Sequence, residues 1–259
     1  LNTQRAAADR DEPAGQPERL FSGLIGTEYQ MLDLICPAVA DISRRVGDFA
    51  ASLPLDAAGR GVPLSVFEIG CGTGRTTLEL LKSRADCVIT SADNEPAMLS
   101  QARKNLGTFI GEGRVRLIEA DALSALQELA AGSQDLVASA YTVHNFLEGY
   151  RERVLAEIFR VLRPGGIFIN GDRYALDDTI AHTQLIQEEV RGYFKVFPAI
   201  GRVDLLEQWV VHLFSDESPD HIMRLRPSVD KMREIGFDPV EVRFRDGVNT
   251  LLTAAKPAG

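Results

Sequence analysis

The chain has 259 residues, 45% hydrophobic and 25% charged, which excludes a disordered or collagen-like polymer. Its formal net charge of −9, with no basic block, argues against a nucleic-acid partner. Cys36, Cys71 and Cys87 form no CxxC, so a reducing, cytoplasmic setting is expected, with no disulfide framework or zinc site.

Residues 1–19 are charged and carry two prolines, the composition of a solvated tail. From Phe21 to Phe49 apolar residues recur at helical spacing, and Pro37 divides the run into two helices. Pro54, Gly59, Gly61 and Pro63 close that region. Strand-like runs at 65–69, 87–92, 114–119, 136–140 and 167–170 then alternate with helix-like stretches at 75–84, 95–106, 123–131 and 151–162. Such alternation predicts a parallel sheet covered on both faces. Arg163-Pro164-Gly165-Gly166 is expected to break the chain before the fifth strand. Residues 172–227 have helical periodicity around 178–190 and 205–214, with breaks at Pro198, Gly201 and Pro219. Their mild excess of aromatics (Tyr174, Tyr193, Phe194, Phe197, Trp209, Phe214) suggests a pocket wall and makes Trp209 a substrate candidate. After 228–235 come two strand-like runs, 239–244 and 250–254, separated by Asp246-Gly247, a hairpin signal. No run, 137–143 included, approaches the ~20 apolar residues that cross a bilayer, so no membrane association is expected.

The most informative stretch is Val66-Phe67-Glu68-Ile69-Gly70-Cys71-Gly72-Thr73-Gly74-Arg75, a strand running into closely spaced glycines and then a helix. Glycines at the first strand-to-helix junction of such a sheet let the backbone approach a ligand. The second strand ends in Asp93, suited to accept from both ribose hydroxyls, and the third leads to Asp121, suited to an adenine amino group. A dinucleotide fingerprint would need its third glycine at position 75, which is Arg75.

With Glu68 before Gly70-x-Gly72-x-Gly74, the chain resembles the class I S-adenosylmethionine-dependent methyltransferases, clearly over 62–171 and loosely over 228–256. The resemblance implies that the loop, including Cys71, holds the methionine part of S-adenosylmethionine, with S-adenosylhomocysteine as product. It implies that Asp93 binds the ribose, that Asn94 and Met98 line the adenosine, and that Asp121 and Ala122 meet the adenine. Ala140 and Tyr141 fall beside the methyl group, and Tyr29 would close over the methionine carboxylate. The implied fold is α/β, a Rossmann-like doubly wound seven-stranded sheet, mostly parallel with a C-terminal antiparallel hairpin. N-terminal cap helices (1–61) precede the 62–259 domain, whose helical insertion at 172–227 would form a lid and acceptor pocket.

Methyl transfer rests chiefly on aligning donor and acceptor. His144, just beyond strand four, is the candidate base, the alternative being a cap or packing residue; Tyr141 is the second catalytic candidate. Arg173 would pair with a substrate carboxylate or phosphate; the plainer alternative is an ion pair with Asp172 or Asp177. No metal is expected: catechol-type methyltransferases carry an aspartate where this chain has Ala140-Tyr141, and no His-x-x-x-His or equivalent was found in 182–221. Without an Asn-Pro-Pro-Tyr-like sequence at strand four, the expected acceptor is a small molecule, and a homodimer is the candidate assembly. The segment Glu28-Tyr29…Cys36-Pro37 is similar to the carboxy-S-adenosylmethionine synthases, which modify the cofactor itself. A non-catalytic cofactor-binding protein and a nicotinamide-dependent oxidoreductase complete the alternatives.

Overall fold

The structure is a computed structural model that describes residues 32–53 and 61–259. The expected 1–19 tail, Tyr29 and the start of the first expected helix lie outside the described residues. Pro37, with no N–H to donate, separates the short helix α1 (Leu32–Ile35) from α2 (Ala38–Ser52). Seven strands follow: β1 (Leu64–Ile69), β2 (Cys87–Asp93), β3 (Val115–Glu119), β4 (Gln134–Ala140), β5 (Leu162–Arg173), β6 (Val240–Asp246) and β7 (Asn249–Ala255). They form one sheet in the order β3-β2-β1-β4-β5-β7-β6. The first five are parallel, and β7 runs antiparallel to β5 and β6. Between the strands lie α3 (Arg75–Ser83), α4 (Pro96–Asn105), α5 (Gly107–Gly111), α6 (Ala122–Gln127) and α7 (Glu148–Val161). Two long helices, α8 (Thr179–Ala199) and α9 (Val203–Asp216), fill the expected insertion, and α10 (Leu225–Ile235) precedes the hairpin.

Strand alternation feeds two cores. Val66, Leu136, Ala138, Ile169 and Leu251 pack with Val46 of α2, Leu80 of α3 and Leu99 of α4. Their neighbours Phe67, Val137, Phe168 and Leu252 face the opposite way, onto Leu126 of α6, Ile158 of α7 and Met232 of α10. The sheet is therefore doubly wound, and chain order reverses between β1 and β4, the place where such sheets open a crevice beyond the strand C-termini. Helix α2 rests directly on β5. A side chain at Gly171 would put its Cβ 2.4 Å from Ile42 Cγ2, so glycine there lets the helix descend. That contact brings Val39 and Ser43 to the crevice.

Two expectations need correction. Arg163-Pro164-Gly165-Gly166 does not end before the fifth strand but lies within it as a bulge, the register moving from Gln134↔Leu162 to Leu136↔Ile167. Gly165 donates to Lys256 O, Lys256 N donates to Gly166 O, and Arg163 pairs with Asp135, so the turn is held within the sheet between β4 and the end of β7. Pro198 does not break the insertion before its helix ends. It sits in the last turn of α8, where Gly201 and Arg202 pick up the terminal carbonyls. No helix among the described residues is long and apolar enough to cross a membrane.

Candidate functional site

The glycine loop is fixed from below before it meets any ligand. Gly70 N and Cys71 N both donate to Ala92 O, at 2.8 and 3.2 Å, which docks the loop on the end of β2. Gly72 N donates to Asp93 Oδ2 (2.8 Å), while Asp93 Oδ1 accepts from Glu95 N (2.9 Å). Burial raises the Asp93 carboxyl above its ordinary range, opposed by the backbone donors of Glu95 and Gly72. Gly70 has φ +69°, a left-handed conformation that glycine adopts without strain. Asp121 caps α6 by accepting from Ser124 N, and the Tyr150 hydroxyl donates to the same carboxylate at 2.7 Å. Burial pushes the Asp121 carboxyl up, but these hydrogen bonds outweigh it and leave it lowered.

Gly70, Cys71, Gly72, Asp93, Asn94, Met98, Asp121, Ala122, Ala140 and Tyr141 all line one cleft. Its empty space of about 1210 Å³, open mouth included, exceeds what a nucleoside-sized ligand needs. The same cleft is also lined by Val39, Ser43, Asn145, Phe146, Leu147 and His221. Tyr141 closes β4 with φ +49°, an uncommon conformation for a bulky residue and one that functional sites often hold. Its hydroxyl donates to Asn249 Oδ1 (2.7 Å), and burial raises the phenol well above its ordinary value, so the ring shapes the wall while the proton stays on.

Other expected residues lie off the wall. Glu68 is fully buried beneath the loop, where Oε2 accepts from Thr77 (2.5 Å) and Ser91 (2.6 Å) and braces β1, α3 and β2. Gly74 stands behind the loop as the residue before α3. His144 is buried and does not line the cleft; its Nδ1 meets Asp172 Oδ1 at 2.5 Å. Arg173 lies off the wall because Glu189 of α8 holds its guanidinium at 2.9 and 3.1 Å, in place of the expected Asp172 or Asp177 partner. Trp209 is buried with Tyr193, Phe197 and Leu213 between α8 and α9, so the aromatics packed there build an insertion core and do not line the cleft. Phe194 and Phe214 are exposed.

Sequence reasoning passed over His221, the histidine the fold does bring to the wall, because no local pattern marks it. It also passed over His212-x-x-x-Asp216, an i, i+4 pair and the carboxylate equivalent of His-x-x-x-His. Burial holds His212 below its ordinary value, with Asp216 acting against that shift.

Burial raises the Glu68 carboxyl to about 7, only partly offset by Ser91 and Thr77. A carboxyl raised on folding stays protonated in the native state between about 4.5 and 7, so native stability falls as pH rises through that window. Glu68→Gln is therefore expected to match wild type near pH 5 and to exceed it by about 2 kcal/mol at pH 8. Urea unfolding at both pH values reads this, and a variant less stable at pH 8 contradicts it.

A family model for a methyltransferase domain matches residues 66–166, from β1 to the β5 bulge. The carboxy-S-adenosyl-L-methionine synthase of Photobacterium profundum is 26% identical over 186 residues, 70% of each chain. That of Vibrio cholerae is 28% identical over 185 residues, again 70% of each. Among solved structures, an O-methyltransferase family protein from Burkholderia thailandensis superposes with TM-score 0.58 at 20% identity, covering 86% of this chain. The chain spans only 58% of that protein's length. A methyltransferase-like structure from Methanococcus maripaludis gives TM-score 0.58 at 16% identity, covering 95% and 98% of the two chains. The glycine loop, its acidic neighbours and the strand order agree with that match: residues 66–166 form a methyltransferase-type domain within a Rossmann-like fold.

Proposed function

We propose that this chain transfers the methyl group of S-adenosylmethionine to a small-molecule acceptor held in the part of the cleft beyond Tyr141. The carrying observation is one continuous wall. The glycine loop, Asp93 and Asp121 occupy three successive strand ends, and Tyr141, Asn145, Phe146 and His221 line the same cleft. The loop and Asp93 would hold the methionine and ribose, and Asp121 and Met98 the adenine end. The acidic chain, net −9, favours a small acceptor over nucleic acid.

In the transfer the S–CH₃ bond breaks as the acceptor's nucleophilic atom bonds to the methyl carbon, and alignment supplies much of the rate. A protonated nucleophile must lose its proton. His221 Nε2 is buried without a partner at the cleft wall, and Nδ1 lies 2.9 Å from Ser218 Oγ. In the tautomer that donates Nδ1–H to Ser218, Nε2 would take that proton. His221→Ala is expected to lower kcat about 100-fold while leaving S-adenosylhomocysteine affinity within about 3-fold. Calorimetry with S-adenosylhomocysteine, beside a transfer assay over phenol, amine and carbon-acid acceptors, tests both halves. Absence of cofactor binding, or unchanged kcat in the variant, would overturn the assignment.

The second reading is synthesis of a carboxylated cofactor, favoured by the likeness to the carboxy-S-adenosyl-L-methionine synthases. A carboxylate on the sulfonium would need a cation nearby. Among the described residues the cleft wall carries one guanidinium, Arg75, on the first turn of α3, and Arg173 is committed to Glu189. Arg75 is therefore the cation that the second reading requires. Mass spectrometry of cofactor released from purified protein separates the readings, a carboxylated species supporting the second.

A further inference from the structure

Behind the cleft wall, the described residues gather three ligand-type side chains that methyl transfer leaves unused. His144 follows β4, while His212 and Asp216 lie one turn apart on α9, and one donor atom from each stands within 4.8 Å of the others. Both imidazole Nε2 atoms are 3.8 Å from Asp216 Oδ2. That is too long for a hydrogen bond. It is close to the separation of about 3.3–3.6 Å between ligand atoms around a tetrahedral ion with bonds of about 2.0–2.2 Å. We infer that His144 Nε2, His212 Nε2 and Asp216 Oδ2 bind one divalent transition-metal ion of the zinc class.

Three independent features support the site. Asp172 is fully buried, accepts from the backbone N–H groups of Val143, His144 and Arg173, and meets His144 Nδ1 at 2.5 Å, which fixes that ring. This leaves Nε2 directed at Asp216, the carboxylate–histidine arrangement that orients metal ligands. Asp216 is itself buried, its side chain 7% exposed, and Oδ1 has no hydrogen-bond partner. A buried carboxylate with an unused oxygen calls for a cation. Arg173, which feels the Asp216 charge, is already clamped by Glu189 and lies 3.7 Å from Glu217. Asp172 and Glu217 have further partners, Arg151 acting on the first and His182 bonding the second, so Asp216 is the carboxylate of this group left with an unmet oxygen. Two of the chain's four histidines meet at this one carboxylate. Imidazole with one carboxylate selects zinc-like ions over magnesium or calcium, and three protein ligands leave a position open. The expectation of no metal rested on Ala140-Tyr141, which is not part of this cluster, and on the lack of a His-x-x-x-His or equivalent, which His212-x-x-x-Asp216 overturns.

The site does not depend on the methyl-transfer reading, because binding is measured without turnover. Tag-free full-length protein, stripped with chelator and dialysed, is titrated with Co²⁺ alone. The expected result is one equivalent per chain, with the visible absorption of four-coordinate Co²⁺ and displacement by Zn²⁺. His212→Gln and Asp216→Asn should each weaken uptake at least about 10-fold, and Asp172→Asn by about 10–100-fold. Circular dichroism and S-adenosylhomocysteine affinity should stay unchanged in His212→Gln. Failure of wild-type protein to take up stoichiometric Co²⁺, or uptake that His212→Gln leaves intact, overturns the site. If Asp216→Asn fails to fold, wild-type stoichiometry and His212→Gln still decide. Loss of S-adenosylhomocysteine binding with Co²⁺ uptake intact would count against the proposed function alone.

Discussion

Replacing Gly70 with alanine is expected to weaken S-adenosylhomocysteine binding about 100-fold and to lower the unfolding free energy by about 2–4 kcal/mol. Two effects combine. The φ of +69° places any L side chain in the left-handed region. The new Cβ would also stand 2.1 Å from Thr142 Oγ1 and 2.4 Å from Thr142 Cγ2, too close for either atom to remain. Thr142 has little room to retreat, because its hydroxyl donates to Ala140 O at 3.1 Å, on the β4 terminus beside Tyr141. The strain therefore spreads into both halves of the cleft. The double variant Gly70→Ala/Thr142→Gly removes the clash and keeps the dihedral cost, so it should recover about half of the lost stability. Calorimetry and urea unfolding on the three proteins measure this. Wild-type affinity in the single variant would show that the loop does not carry the cofactor.

The sheet is legible because β1, β2 and β4 are short apolar runs and β1 leads straight into closely spaced glycines, both local signals. Val66, Phe67, Val137 and Phe168 alternate faces as strand periodicity requires, and Asp93 and Asp121 sit at strand ends where the spacing puts them. The β5 bulge was hidden because its turn residues are held by Lys256, more than ninety positions away. The same non-locality hid the wall beyond Tyr141. His144 and His221 look alike in one dimension, yet Asp172 draws the first inward, and the chain after α9 carries the second to the cleft. Trp209 and its aromatic neighbours form a pattern that fits a pocket wall and an insertion core equally. Only tertiary packing distinguishes them, and α1, α8 and α9 resolve it as core through Ile35, Tyr193 and Trp209.

Arg173→Met is expected to destabilise the protein by about 3–5 kcal/mol at pH 7.5 while leaving S-adenosylhomocysteine affinity within about 3-fold. The side chain lies off the cleft, so a role in cofactor contact is not at stake. What it does is neutralise Glu189, which also accepts from the Tyr193 hydroxyl at 2.7 Å and anchors α8 to the end of β5. In wild type, burial raises the Glu189 carboxyl but Arg173 more than reverses it, so the group sits below its ordinary value. A depressed carboxylate gives stability that is present above its unfolded pKa and lost as pH falls through the folded one. Without Arg173, burial is unopposed by that cation and the carboxyl rises. The sign then inverts, and the variant loses stability as pH climbs. The gap between the two proteins should therefore be widest near pH 8 and shrink towards pH 4, where protonated Glu189 no longer needs a partner. Arg173→Met/Glu189→Gln should recover much of the loss at pH 8, since it removes both charges. Urea unfolding across pH reads the gap, and a pH-independent difference would refute the pairing account. A raised KM with stability intact would instead return Arg173 to the substrate role its place after strand five suggests.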